Sequence, residues 1–112
     1  MPAAKESLRA IKATYDLLND NFEAAYDKAQ TAAQRTSVRD LHAAARDAYF
    51  VALAKVLDDN NSVVKGVRKD LVEANGQIAK ALKNLQSIVG FLKVVTEAVR
   101  LAAALAALAA VA

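Results

Sequence analysis

The chain has 112 residues, 55% of them hydrophobic, a formal net charge of +3 and no cysteine. That length fits one domain spanning residues 1–112, with a modest core. The missing thiols exclude disulfide frameworks, thiol catalysis and thiolate metal sites, and the small net charge does not require a polyanionic partner.

The N-terminal stretch "MPAAKESLRAIK" is charged and lacks an apolar run. No cleavable secretory signal is expected. As synthesised, the chain is expected to be cytoplasmic, with signal-independent export or membrane association left open. Proline occurs only at position 2, and glycine only at 66, 76 and 90, so helix is expected throughout.

Leu8, Ile11, Tyr15, Leu18 and Phe22 follow a three-four spacing that draws an apolar seam along a first helix. On the same segment Asp16, Asp20, Glu23 and Asp27 form an acidic stripe. Hard cations take oxygen ligands, but carboxylates along a single helix diverge, so a solvated or partner-facing stripe is expected and no metal. The seam changes phase around "QTAAQRTSVRD" and continues through Val38, Leu41, Ala45, Ala48 and Ala52. Ser37 with Asp40 reads as a capping box, so the first arm either runs on with a kink or breaks near 34–37.

His42 is the single histidine. A half-buried surface role is expected for it rather than that of a general base. No Glu-x-x-His pair, phosphate-cradling glycine loop or nucleophile elbow occurs in the sequence. Catalysis, a cofactor and a small-molecule substrate are therefore not expected.

The turn-forming run "DDNNS", residues 58–62, divides the chain, and Asn61 or Ser62 can cap the following helix. The expected fold is an all-α, long antiparallel helical hairpin with arms of roughly 3–57 and 62–112. Each arm would be about 75 Å long if straight. A break near 34–37 would convert the hairpin into a three-helix bundle.

A second seam runs from Val64 through Leu71, Ala74, Ile78, Leu85, Ile88 and Val95 to Val99. It crosses Asn75-Gly76 without losing phase. Gly76 therefore reads as a weak point costing about 1 kcal/mol relative to alanine rather than as a turn. Lys65, Lys69, Lys80 and Lys83 form a basic stripe without interleaved aromatics, which disfavours nucleic acid as a partner. In a hairpin turning near residue 60 the acidic and basic stripes would lie at different heights and could neutralise each other only between subunits.

The chain ends on "LAAALAALAAVA". Continuing the heptad places Ala102, Ala106 and Ala109 on the seam and turns Leu101, Leu105, Leu108 and Val111 away from it. Three exposed leucines would forgo roughly 1.5–3 kcal/mol each, so a cover is expected. This all-round apolar end reads as a contact for protein or membrane. The protein cover would be a second copy or a helical partner; the lipid cover would be an anionic membrane, approached through the basic stripe.

The length, hairpin layout and absent signal resemble the small secreted helical hairpins of the WXG type, although "DDNNS" stands where that group carries Trp-x-Gly. The segment "SIVGFLKVVTEAVRLAAALAALAAVA" is similar in architecture and composition to components of α-helical pore-forming toxins. The function expected from the residues is a non-catalytic interaction or structural protein that self-associates or binds a partner through its C-terminal helix. The alternative expectation is a membrane-active component of a pore-forming assembly.

Overall fold

The computed structural model describes residues 5–55, 57–83, 85 and 87–110. Among them the chain is all-α, with five helices: α1 (Lys5–Asp20), α2 (Phe22–Lys28), α3 (Ala32–Leu53), α4 (Ser62–Leu82) and α5 (Ile88–Ala109). An isolated antiparallel bridge joins Leu57 to Ala110.

Each break has a local cause. Between α1 and α2, the Asn21 side-chain amide donates to the Leu17 carbonyl at 2.8 Å, competing with the helix's own backbone donor and kinking the rod. The next break falls at residues 29–31. Ala29 and Thr31 are both extended, and the Thr31 hydroxyl accepts from the Gln34 backbone N–H at 3.0 Å. The Gln34 side chain reaches back to accept from the Gln30 N–H at 2.7 Å. Thr31-x-x-Gln34 is thus a reciprocal N-terminal cap. A first arm that runs on, and the alternative break at 34–37, are both corrected: the arm breaks at 29–31, and Ser37 and Asp40 lie inside α3.

The turn at 58–61 forms as its composition predicts. The Asp58 carboxylate accepts from the Asn60 N–H, and Asn61 caps α4 by accepting from the N–H groups of Val63 and Val64. Helix α4 passes through Gly76 unbroken, and a Cβ there would meet nothing within 4 Å. The second arm nevertheless ends at Leu82 and restarts at Ile88, where the Ser87 hydroxyl accepts from the Gly90 N–H at 3.3 Å. A Cβ on Gly90 would lie 3.0 Å from that hydroxyl, so glycine leaves room for the cap.

With both arms broken, the chain measures 44 × 22 × 18 Å, shorter than the extended arms expected from sequence. The contacts between helices set their directions. The Ser7–Arg68 and Thr14–Asn75 pairs share a sequence offset of 61, so α1 and α4 run parallel. Tyr15 stacks on Tyr49 and Asn19 contacts His42, so α1 and α3 run antiparallel. Gln34 lies beside Val89 and Lys93, and Ala48 beside Ala103 and Ala107, so α3 and α5 run parallel. Helices α3 and α4 occupy opposite corners, with α1 and α5 packed between them and against each other.

This arrangement accounts for the apolar end of the chain. Helix α5 is flanked by α1, α3 and α4 and buries residues on several sides, including Phe91, Val95, Ala98, Leu101, Ala102, Leu105, Ala106 and Ala109. The expectation that Leu101 and Leu105 lack cover within the chain is corrected: both are buried. The heptad assumed one neighbouring helix, and α5 has three. Leu108 remains 52% exposed, while Val111 lies outside the described residues.

The two leucines are therefore expected to behave differently. Leu105→Ala should destabilise the fold by about 2–5 kcal/mol and Leu108→Ala by no more than about 0.5 kcal/mol. Urea unfolding at low protein concentration checks this; equal costs would contradict an enclosed α5.

Candidate functional site

Two buried polar clusters join α1 to α4. The first centres on Asp59, which is 2% exposed. Its carboxylate accepts from the backbone N–H groups of Glu6 and Ser7, both at 3.1 Å, where α1 has donors without helical partners. Arg68 donates to the same carboxylate and to the Ser7 hydroxyl, both at 3.4 Å, and also pairs with Glu6 at 3.5 Å. In the second cluster, the Thr14 hydroxyl donates to the Asn75 side-chain oxygen at 2.6 Å. The Asn75 amide in turn donates to the Ala10 carbonyl at 3.1 Å. Among the described residues, every buried side-chain nitrogen and oxygen has a hydrogen-bond partner. These clusters set packing and register, with their polar capacity already engaged.

His42 joins α1 to α3. Its Nε2 lies 3.0 Å from the Asn19 side-chain oxygen, and its ring packs against Tyr15 and Phe22. Burial, and secondarily the nearby Arg46, hold its pKa below the ordinary value. The neutral ring donating from Nε2 satisfies both the contact and the shift.

The charged stripes lie on the outside. Asp16 pairs with Lys12 at 2.7 Å, while Asp20, Glu23 and Asp27 are exposed. Among the described residues no group of three or more acidic or histidine side chains is placed to hold a metal ion. Lys65, Lys69 and Lys80 on α4, and Lys83 just past its end, are all exposed. The parallel α1–α4 pairing, with its offset of 61, brings Asp20 level with Ala81, next to Lys80. The expectation of different heights is corrected, since it assumed an antiparallel hairpin. The described residues contain no ion pair within 4 Å between the two stripes.

Two outer faces remain open: a hollow of ≈ 350 Å³ between α1 and α4, lined by Glu6, Arg9, Ala10, Ala13, Arg68, Val72 and Asn75, and the outer groove between α3 and α5. One end of this groove is a hollow of ≈ 380 Å³ lined by Gln34, Val89, Leu92, Lys93, Thr96 and Glu97. The other is a hollow of ≈ 290 Å³ lined by Ala44, Asp47, Ala48, Val51, Ala103, Ala106 and Ala107. Val89 is 55% and Val51 46% exposed, so a large apolar side chain stands at either end. Of the residues singled out in the apolar tail, Leu108 is exposed but does not line this groove, whereas Leu101 and Leu105 belong to the core. Val51 and Val89 escape a sequence reading because each lies off the apolar seam of its own helix. Only the parallel α3–α5 pairing aligns them. Among the described residues no helix is long and apolar enough to cross a membrane.

Two outcomes follow. Asp59→Ala should cost about 3 kcal/mol, by leaving Arg68 without its buried partner and the start of α1 without its cap, and Asp59→Asn less, because the amide oxygen still accepts. Chemical denaturation of both variants checks the ranking. For His42, a pKa lower in the folded than in the unfolded chain means that the unfolded chain binds more protons between the two values. Its contribution is complete above the ordinary value of 6.5 and is lost as pH falls through the depressed folded value. His42→Gln should flatten the loss of stability between about pH 7 and pH 5, measured by urea midpoints; an unchanged slope would contradict a histidine held neutral.

Compared with known protein families, curated proteins and solved structures, the chain matches none.

Proposed function

We propose that the protein is a non-catalytic helical interaction module that self-associates or binds a helical partner through the outer face of α5 and the adjoining face of α3. The observation that supports this is the pair of exposed valines there, Val89 and Val51, around a floor of alanines. Each large side chain left in water forgoes roughly 1.5–3 kcal/mol. A cover over this face recovers part of that, and the alanine floor lets a partner backbone approach closely. The site differs from the one expected from sequence. The interior of α5 serves the fold, and its outer remainder, joined by α3, serves the contact.

A second reading is membrane activity. It is favoured by an α5 rich in apolar residues on several sides, together with three exposed lysines on α4 and a fourth, Lys83, just past its end, that suit anionic headgroups. In this reading α5 must leave its three neighbours before it meets lipid, and insertion then costs the core that Leu101 and Leu105 help to form.

One pair of measurements separates the two. Light scattering should give a mass above the 11.9 kDa of a single chain as concentration rises, and Ala103→Arg, a change at an exposed groove position, should return it to that value. Flotation with anionic vesicles should leave the protein behind. A chain that stays single at every concentration yet floats with vesicles, less so once Lys65, Lys69, Lys80 and Lys83 are neutralised, would overturn the first reading in favour of the second.

A further inference from the structure

The groove between α3 and α5 has a direction. Because the two helices run parallel, their corresponding ends lie together, and the groove's two ends differ in charge. At the end near the start of both helices stands Lys93, beside the exposed Val89. The carboxylate nearest to it along the helix, Glu97, is occupied by Arg100, which donates to it from Nε at 3.1 Å and from Nη2 at 2.5 Å. At the other end stands Asp47, whose nearest cation is its chain neighbour Arg46 at 3.9 Å. The groove thus runs from a cationic end to an anionic one, with an exposed valine at each, Val89 and Val51, and alanines flooring the second.

We infer that the occupant of this groove is a second copy of the same chain, laid antiparallel across it, so that Lys93 of each copy faces Asp47 of the other. This rests on the self-association reading above and adds its geometry. A two-fold axis perpendicular to the groove brings unlike ends together, which pairs the charges twice and sets Val89 of each copy over the Ala103 and Ala107 floor of the other. A parallel arrangement would place Lys93 against Lys93 and Asp47 against Asp47. The charges select the first arrangement. Closed two-fold pairing of this kind is the commonest form of self-association.

The size of the face limits its strength. From Val89 to Ala107 the groove runs about 27 Å at the helical rise of about 1.5 Å per residue. Across the width of two helices that is roughly 500 Å² per copy, or about 1,000 Å² in total, at the low end of specific interfaces. A weak, concentration-dependent dimer is expected rather than a permanent one.

The test uses the full chain in sedimentation equilibrium from about 10 to 500 µM, the range suited to an interface of this size. The wild type should approach twice 11.9 kDa. Lys93→Glu and Asp47→Lys should each weaken the dimer by about tenfold, since each alters two exposed pairs per dimer, and the double variant should recover most of that loss. Circular dichroism confirms that these surface variants stay folded. The chain has no cysteine, so direction can be read by cross-linking. A mixture of Lys93→Cys and Asp47→Cys chains should oxidise to the mixed disulfide-linked pair, with little linkage of either chain to itself. Preferential self-linkage of Lys93→Cys would overturn the antiparallel arrangement. A dimer indifferent to Lys93, Asp47 and Ala103→Arg would overturn this groove as its seat while leaving self-association standing. A chain that remains single throughout would overturn both.

Discussion

A helix that is apolar on several sides cannot be satisfied by one neighbour. Helix α5 carries ten buried residues, and a hairpin partner would cover only the strip facing it. Enclosing the rest requires helices on further sides, and 112 residues supply them only if both long arms break. The cap at Thr31 turns the first arm back on itself, so that α1 and α3 flank α5 from different directions. The cap at Ser87 lets α4 and α5 lie side by side. The dimensions of the bundle, the diagonal separation of α3 and α4, and the contact of α1 with α5 all follow from this need for cover.

Hydrophobic enclosure does not by itself choose a register, because alanine surfaces slide over one another with little change in buried area. The polar clusters supply the choice. Asp59 sits at the start of α1, and Thr14 and Asn75 meet two turns further along, so a shift of α1 by one turn along α4 would strand buried donors and acceptors at both places. Specificity is therefore concentrated on the α1–α4 contact, while the apolar contribution is concentrated around α5. The outer α3–α5 groove belongs to neither, and its apolar and charged groups remain open to a partner.

Much of the secondary structure was legible in the sequence. Helix content, the Asp58–Asn61 turn, the Asn61 cap and the passage of α4 through Gly76 all follow from residue type and spacing. The break at 29–31 was also written there, as Thr31-x-x-Gln34, but Ser37-x-x-Asp40 offered a competing cap of the same form, and only packing decides between them. The break before Ser87 left no such mark, because Leu85 and Ile88 keep the seam in phase across it. The role of Asp59 was beyond local reading, since the donors it caps lie 52 and 53 residues earlier in the chain. The candidate surface shares that limit. Val51 and Val89 become neighbours of one groove only through a parallel α3–α5 pairing that neither helix encodes alone.

The parallel pairing of α1 with α4 also ranks the steps by which the chain can assemble. Helices α4 and α5 are joined by the short segment 83–87 and can pair at a small cost in loop closure. Seating α1 against α4 closes loops of 52 to 65 residues, and the polar contacts that reward it are made only when the partner surface already exists. The entropy of closure thus places the α4–α5 pair early and the docking of α1 late. Until α1 docks, α5 lacks one of its three covers, and the chain passes through a stage in which its most apolar helix is open to whatever lies nearby.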